Sequence, residues 1–516
     1  MGDMALPQKM KWAFKELDNI RKENYSWVPS SGQGTYNAGQ KIYIDLPLNS
    51  LVDLSTFQMA YEGATTHLGS PATAGDDTLQ TRFFPRNTAS IIQNLEVKVN
   101  NVSIFNVPDY NLVWNKLYDY TQSQDGLNRR KIGENADPSN KTYKDAATNM
   151  TIPRRGYIHG IAGGDAAYDK DNYVIKSWLG PFASASTQII DTTLLGTVSI
   201  IITLAPSSIL MNGAPIYAAA GALAAANNDA GFDIAAQTAR NVAGGGGALA
   251  EQPINYTVKD ISLTIDRYHM PEAFYQAQAS LLSSGSVYKL WFPNYAVLTG
   301  TPVLAVNKAG THRFSISTRS LDWVMGTFKL PNFDTPTTPL ITRLSTGDAQ
   351  RYLGVAATTF ENQVKNGLPL LFNNSRYLAT NGASITSTKW KIGTHEYRTK
   401  TPQESFDALC NHFNVQNDMN GGMYPGIQSI NHFIDTFYGD IISLNVSGES
   451  NDIYSVSGIN ASQGPINIEW YVNSAAIPVN ANALISNAND TCIPYLIAGY
   501  SSHINIRGGR QIELVS

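Results

Sequence analysis

The sequence contains few cysteines and few charged side chains. Cys410 and Cys492 are the only cysteines in 516 residues, and this excludes a fold held together by a disulfide framework. The pattern around Cys410 predicts a core position on the apolar side of a helix. Lys, Arg, Asp and Glu make up 15% of the residues, whereas about a quarter is usual in soluble domains. The formal net charge of −4 excludes a protein that binds nucleic acid through an overall excess of positive charge.

Long apolar runs are also missing. The most apolar stretch, Thr197 to Ala205, is about half as long as a helix that crosses a bilayer, and it predicts a buried strand. Met1 to Met10 lack the apolar region of a signal peptide, so we expect a chain that is not secreted by that route. Asn, Thr, Ser, Gly, Tyr and Pro take the place of charged residues, as in large all-β proteins with long loops.

One local pattern occurs twice in the chain. The first copy, Asn94 to Gln122, reads as strand, Asn-Asn turn, strand, proline and helix. Leu95, Val97 and Val99 alternate with polar residues there, which predicts a strand with one buried face. The second copy, Trp390 to Phe413, has the same order of elements. Such a repeat indicates that the chain is built from two related units.

A second match lies upstream of each copy of this pattern. Ser50-Leu51 and Thr56 to Met59 correspond to Ser320-Leu321 and Thr327 to Leu330, about 270 residues later. Short apolar patterns also recur by chance in long β-rich chains. Two matches in the same order nevertheless favour tandem halves of similar structure.

The predicted fold class is all-β, with two tandem eight-stranded jelly rolls and one short helix in the same slot of each. Short strands and long loops without βαβ alternation favour such sandwiches over a parallel sheet. An extra N-terminal helix, Lys9 to Glu23, is predicted either to dock on a neighbour or an inner surface, or to pack on its own domain. The predicted boundaries are an N-terminal helical arm over 1–39, jelly roll 1 over 40–270 with loop inserts at 123–173 and 212–252, a linker over 271–310, and jelly roll 2 over 311–516.

The histidines do not form a recognisable metal motif. His395-Glu396 lies on a predicted strand and lacks the second histidine that a zinc-protease helix carries. His412 and His432 are too far apart in sequence to suggest one ligand set. We therefore predict ordinary surface or interface histidines, with no metal ligands and no cofactor.

Other catalytic patterns are equally weak. Gly244 to Gly247 is not followed by the Lys-Ser/Thr of a phosphate loop. Asp76-Asp77 and Asp440 offer carboxylates, but the sequence does not place two of them at glycosidase distance, and solvated loop acids are the favoured interpretation. We predict no catalytic residue and no enzymatic activity.

Two small basic clusters stand in the first predicted insert. They are Arg129 to Lys131 and Arg154-Arg155. Basic side chains could contact phosphate groups, but exposed basic loops without a ligand are more common. Nucleic-acid contact at these positions is the minor alternative.

Three further stretches fit one known family. Phe83 to Asn87, Pro108 to Leu112 and Gly458 to Pro465, together with the layout from Lys41 to about Arg507, resemble the double jelly-roll major capsid proteins of small double-stranded DNA viruses, such as virophages and Polinton-like elements. None of these stretches is a motif with a mechanism attached, so the resemblance depends on the whole arrangement.

The resemblance implies a structural protein of the virion. It implies a homotrimer whose six jelly rolls form a pseudo-hexagonal unit, and an icosahedral shell that encloses double-stranded DNA. Expected partners are copies of the chain itself and of neighbouring trimers, penton or minor capsid proteins, and weak inner-face contact with DNA or a membrane, with no small-molecule substrate. Assembly is expected in an infected host cell. The two inserts are candidates for outward or trimer-stabilising loops.

Two other classes of protein remain open. A carbohydrate-binding or glycoside-hydrolysing β-sandwich would need aromatic platforms or paired acids in a cleft, and usually an export signal. A fibre or spike attachment protein is also rich in strands but predicts repeats much shorter than these halves.

Overall fold

The computed structural model describes most of both predicted halves. The described residues are 21–65, 82–121, 130, 133–134, 141–144, 151–154, 157–158, 170–183, 186, 189–212, 214–215, 256–329, 380–413, 430, 433–434, 437–444, 458–461, 464–477, 489, 491–507 and 511–515.

Strands dominate this part of the chain. The strands are β1 (Arg21–Trp27), β2 (Thr35–Asn37), β3 (Lys41–Asp45), β4 (Leu51–Thr65), β5 (Arg82–Phe83), β6 (Ile92–Val99), β7 (Val102–Pro108), β8 (Lys141–Lys144), β9 (Thr151–Arg154), β10 (Tyr157–Ile158), β11 (Lys170–Ile175), β12 (Ile189–Asp191), β13 (Val198–Leu204), β14 (Met211–Asn212), β15 (Ala214–Pro215), β16 (Tyr256–His269), β17 (Tyr288–Thr299), β18 (Val303–Leu304), β19 (Gly310–Ile316), β20 (Leu321–Lys329), β21 (Ile385–Ile392), β22 (His395–Glu396), β23 (Asp440–Ser443), β24 (Ile466–Ser474), β25 (Thr491–Arg507) and β26 (Gln511–Val515). The α-helices are α1 (Tyr110–Thr121), α2 (Thr192–Leu195), α3 (Glu272–Ser283) and α4 (Pro402–His412), and three 3₁₀ helices span Thr88–Ile91, Gly180–Phe182 and Ser207–Ile209.

The first half is built from two main sheets. One has the strand order β1-β16-β4-β11, with β2 and β12 paired to its sides, and the other has the order β3-β13-β6-β7. Neighbouring strands in both sheets are antiparallel. Along the sequence, the chain passes repeatedly from one sheet to the other, as in the two Greek keys of a jelly roll.

The second half repeats this topology. Its sheets have the orders β17-β25-β20-β23, with β18 and β26 added, and β19-β24-β21-β22. Strand for strand, β17 corresponds to β1, β20 to β4, and β25 to β16. The helices α1 and α4 follow β7 and β22 and occupy the same slot. Both duplications predicted from the sequence therefore fall on equivalent strands.

Local sequence explains the turn and the helix start in these units. Asn100 and Asn101 both adopt left-handed backbone conformations, with φ of 49° and 66°, which the predicted hairpin turn requires. Helix α4 begins with a capping box, in which the Thr401 side chain accepts from the Glu404 backbone N–H and Glu404 accepts from the Thr401 backbone N–H. Pro402 follows at the first helical position, where its missing N–H is not needed.

Two predicted domain boundaries do not agree with where the strands of each half begin. The helix predicted over Lys9 to Glu23 is wrong at its end, because Arg21 to Trp27 form β1 and pair with Leu263 to His269 of β16. The predicted helical arm over 1–39 also contains β2. The predicted linker over 271–310 is also wrong in part, since β17 pairs along its length with β25. Each half therefore begins earlier than predicted, and residues 1–20 lie outside the described residues.

The predicted inserts overlap with ordered strands. Lys170 to Tyr173, at the end of the insert 123–173, belong to β11 and pair with β4. Within the same insert, β8 and β9 form an antiparallel pair. In the insert 212–252, β14 ends at Asn212 and β15 covers Ala214–Pro215, and the remainder lies outside the described residues.

The buried apolar side chains of the two halves form one contiguous cluster. A small apolar cavity of about 30 Å³ lies where the halves meet, lined by Val97, Ile104 and Phe182 from the first half and by Leu290 and Phe292 from the second. The halves therefore share a hydrophobic interface and do not merely follow one another in the chain.

Candidate functional site

Helix α1 lies between the two halves and is enclosed by both. Leu117 is buried, as is its counterpart Leu409 in α4. The polar residues Asn111, Asn115 and Lys116 of α1 are buried too. An amphipathic surface helix would leave such positions in water, so their burial in α1 shows that a second surface covers it.

The second half supplies that surface through residues beside β23. The Lys116 ammonium donates to the Thr380 hydroxyl, and the Tyr120 hydroxyl donates to the Phe437 carbonyl oxygen. Two cations of the first half approach the Phe437 ring, whose centroid lies 5.7 Å from Lys116 Nζ and 5.5 Å from the Arg86 guanidinium carbon. Cations at this distance from an aromatic face are attracted to it, more strongly where water is excluded.

The residue before α1 makes a second set of contacts. Asp109 accepts a hydrogen bond from the Tyr495 hydroxyl, and its Oδ1 lies 3.7 Å from Lys329 Nζ. Tyr495 and Lys329 are almost completely buried. A carboxylate of the first half thus balances a buried ammonium group of the second half.

These contacts cover the outer face of the second half's six-stranded sheet. Phe328 and Gly326 of β20 face inwards, because the Phe328 ring centroid lies 5.0 Å from that of Trp470 on the opposite sheet, and a Cβ on Gly326 would lie 2.8 Å from the Trp470 ring. Met325 and Thr327 therefore face outwards, yet both are fully buried. Every residue of β20 is buried, as expected for a strand covered on both faces.

The equivalent helix in the second half is covered on one side only. In α4, Pro402, Ser405 and Leu409 are buried, while Asp407 and Asn411 are exposed. This open side borders a groove of about 680 Å³ between α4 and β23. Residues that line the groove include Arg398, Glu404, Asp407, Ala408, Asn411 and His412.

Burial shifts the titration of two side chains on α4. It lowers the pKa of His412, a groove residue, to about 4, so the imidazole is neutral near pH 7. It raises the pKa of Cys410, and Asp407 adds to that effect. Cys410 is half-buried rather than a core residue, which corrects the prediction from its helical pattern.

Asp440 is not the solvated loop acid that the sequence suggested. It is fully buried on β23, with Oδ1 2.8 Å from Lys400 Nζ. Its Oδ2 accepts hydrogen bonds from the indole nitrogens of Trp390 at 2.7 Å and Trp470 at 3.0 Å. Ser405 donates to Oδ1 at 3.1 Å. The Asp440 carboxylate therefore connects α4 to both sheets of the second half, and its role is structural.

One member of the basic clusters is also part of the structure. The Arg130 guanidinium carbon lies 4.8 Å from the ring centroids of Trp114 and Tyr118, and Arg130 pairs with Glu134. The Glu134 carboxylate also accepts from the Ser177 backbone N–H at 3.0 Å. The prediction of an exposed basic loop is wrong for Arg130. Arg154 is the last residue of β9, and Arg129, Lys131 and Arg155 lie outside the described residues.

The other candidate residues that the structure describes do not form a common site. His395 and Glu396 are exposed on the short strand β22, and Glu396 forms an ion pair with Lys389 at 2.6 Å. His432, Asp76-Asp77 and Gly244 to Gly247 lie outside the described residues. Within the part of the chain that is described, no three His, Cys, Asp or Glu side chains form a metal-binding group. No helix in that part is long and apolar enough to cross a membrane.

The geometry defines an all-β protein of two jelly rolls in tandem, joined by a helix-on-sheet contact. No family model matches the sequence, and no curated protein matches it significantly. Among solved structures, the PBCV-1 protein VP54, fitted into a reconstruction of the virophage Sputnik, is similar over 96% of this chain and 97% of that chain, with 11% identity and a TM-score of 0.53. A chain of the Sputnik virophage is similar over 96% and 88%, with 11% identity and a TM-score of 0.52. A chain of the PBCV-1 virus capsid is similar over 96% and 97%, with 11% identity and a TM-score of 0.50.

The likeness establishes the fold. The predicted all-β class with two tandem jelly rolls is confirmed, and so is the predicted resemblance to double jelly-roll capsid proteins. The solved structures that share the fold are parts of virus particles and not enzymes.

Proposed function

We propose that this chain is a structural major capsid protein. The observation that carries the proposal is the tandem jelly-roll fold, which extends over 96% of the chain in the comparison with a virus capsid. A jelly roll by itself serves many functions. Two of them in one chain, joined in the same order over nearly the full length of both proteins, make a much more restricted arrangement.

The proposed building block is a homotrimer with six jelly rolls in a pseudo-hexagonal ring. These units would tile an icosahedral shell around a double-stranded DNA genome. The helix-on-sheet contact supports a ring, since it joins two different surfaces of similar units. Contacts of this head-to-tail kind lead to closed rings or open filaments, depending on the rotation between units.

The proposed partners follow from this role. They are other copies of the chain, neighbouring trimers, and penton or minor capsid proteins, with weak inner-face contact to DNA or a membrane. The proposed location is the virion, after assembly in an infected cell. The role is structural, without catalysis, and the comparisons do not favour the carbohydrate-binding alternative.

Electron microscopy of the purified chain tests the proposal. Concentrated protein is expected to show particles with a six-lobed outline, and at higher concentration flat or curved arrays of them. Particles of single subunits at all concentrations would contradict a shell-forming role. Binding of the same preparation to a sugar array tests the carbohydrate-binding alternative, since a capsid subunit is expected to give no specific signal.

A further inference from the structure

Helix α3 connects β16 of the first half to β17 of the second. None of the α3 side chains that the structure describes is buried, whereas α1 and α4 each contain buried apolar residues. Leu281 is 59% exposed, and Phe274 and Tyr275 are only partly buried. The helix makes no extended contact with any other described helix or strand. Its apolar side chains are therefore left without a cover.

The side-chain hydrogen bonds among the described residues of α3 are local. Gln276 donates to Glu272 at 3.2 Å, and Ser283 donates to the Ala279 carbonyl oxygen at 2.8 Å. A helix of 12 residues is barely stable in water without tertiary packing. We therefore expect a partner that covers α3 on the side of its larger apolar residues.

The composition of α3 indicates the chemistry of this partner. Phe274 and Leu281 lie two helical turns apart on the same side of the helix. Glu272 is its only charged residue, and it contains no lysine or arginine. Nucleic acids and anionic lipid headgroups are bound mainly through basic side chains. An apolar protein segment therefore fits α3 better than DNA or a membrane surface does.

The chain brings one such segment to the start of α3. Strand β1 begins at Arg21, which pairs with His269, the last residue of β16. Because the two strands are antiparallel, the chain enters β1 at the same end of the sheet at which it leaves β16 towards α3. We call residues 1–20, which precede β1 and lie outside the described residues, the leading segment.

The leading segment has an apolar side of its own in sequence. A series of apolar residues between positions 10 and 20 has the spacing of one side of a helix. The series consists of Met10, Ala13, Phe14, Leu17 and Ile20. In helical form residues 10–20 would be about 16 Å long. The 12 residues of α3 are about 18 Å long, so the two apolar sides match in length.

We infer that the leading segment packs as an antiparallel helix along α3 of the same chain. Both segments leave the sheet at the same point and rise equally per residue. Leu17 therefore lies beside Phe274, and Met10 lies beside Leu281. The contact buries the apolar sides of two helices that are each marginal alone. It does not depend on the proposed function, since it concerns a single chain.

Cross-linking tests the pair of positions that the antiparallel packing brings together. Met10→Cys and Leu281→Cys are introduced together in a Cys410→Ser background, in which the remaining Cys492 is fully buried. A short bis-maleimide is expected to link the two new cysteines within one chain, so the denatured product keeps the mass of one 56.2 kDa chain plus the linker. Lys11→Cys with Leu281→Cys is the matched control. It is expected to react much less, because Lys11 lies outside the apolar series.

Hydrogen exchange of the full chain tests the cover of α3 without a linker. Phe14→Asp with Leu17→Asp places charges on the apolar side of the leading segment, and amide exchange in α3 is expected to speed up at least about tenfold. Lys11→Asp with Lys15→Asp changes the same number of positions outside the apolar series and is expected to leave exchange in α3 unchanged. Exchange in α4 is the internal reference, which neither variant should alter.

Three results would overturn the inference. A cross-linked product with the mass of two chains would show that the leading segment of a neighbouring copy covers α3. Equal exchange in α3 for the unmodified chain and for the Phe14→Asp, Leu17→Asp variant would show that the segment does not cover it. Exchange in α3 that slows only when vesicles of phosphatidylcholine and phosphatidylserine are added would assign α3 to a membrane surface. None of these results bears on the proposed capsid role, which the mass of the unmodified chain tests separately.

Discussion

Lys116 and Ala408 occupy the same position in two equivalent helices, but only Lys116 is enclosed. Lys116 is 1% exposed and donates to Thr380 of the other half, whereas Ala408 lines an open groove. The two jelly rolls thus share a fold and differ in what covers them.

The contact between the halves is expected to be a large contributor to stability. Phe437→Ala removes a fully buried ring that both Arg86 and Lys116 approach. Truncation of a buried Phe costs about 3–5 kcal/mol, so the urea midpoint should fall clearly. Tyr43→Ala, at a side chain that is 46% exposed, is the control and should change stability by less than about 0.5 kcal/mol. Equal effects of the two changes would contradict the description of this interface.

The buried ion pair of Asp440 and Lys400 is expected to contribute more to the free energy of unfolding than ion pairs on the surface do. Asp440→Ala leaves the buried Lys400 ammonium without its carboxylate and two indole N–H groups without their acceptor. Breaking a buried pair in this way costs about 3–5 kcal/mol. Glu396→Ala breaks the exposed pair with Lys389 and should cost less than about 1 kcal/mol. Urea unfolding of both variants decides whether Asp440 is structural, and a small effect at Asp440 would argue against that role.

Close packing around Trp323 makes Gly499 a sensitive position. A Cβ at Gly499 would lie 2.2–2.6 Å from atoms of the rigid Trp323 indole, whereas a Cβ at Gly464 would meet nothing within 4 Å. Gly499→Ala is expected to destabilise the second half by about 1–3 kcal/mol through overpacking. Gly464→Ala should be nearly neutral in the same thermal melt. A neutral Gly499→Ala would show that Trp323 can move aside.

Stability is expected to fall in mild acid. Burial lowers the pKa of His412 to about 4, and burial also lowers the pKa values of His312 and His503. An unfolded histidine takes up a proton near pH 6.5, so between about pH 6.5 and 4 the unfolded state binds more protons and gains relative to the folded state. The urea midpoint should therefore decrease over this window. His412→Gln should make the decrease shallower, and an unchanged slope would show that His412 does not contribute.

The duplicated topology was predictable because the same short sequence patterns occur in the same order in both halves. Alternation over Leu95 to Val99 and the capping sequence at Thr401 specify local structure without help from distant residues. Repetition of the same order in both halves then indicates two similar domains. The burial of Lys116 and the openness of Ala408 could not be predicted, because they depend on which surfaces of the two halves meet.

Two of the strands that the sequence did not predict, β1 and β17, are equivalent edge strands. Strand β1 contains Arg21, Lys22 and Glu23, which weaken any strand signal, and β17 contains Pro293, which normally interrupts a sheet. Both strands lie at the end of their sheets. An edge strand pairs on one side only, so it tolerates charges and a proline. Asp440 was misjudged because its partners Trp390 and Trp470 lie 50 and 30 residues away in the chain. Arg130 was misjudged because nothing in the sequence places its guanidinium against the rings of Trp114 and Tyr118.

The mass of the unmodified chain in solution tests the central claim most directly. A capsid building block of three copies of the 56.2 kDa chain would have a mass of about 169 kDa by light scattering. The account predicts this mass, or larger particles that grow from it as the concentration rises. A mass of 56.2 kDa at every concentration would contradict it.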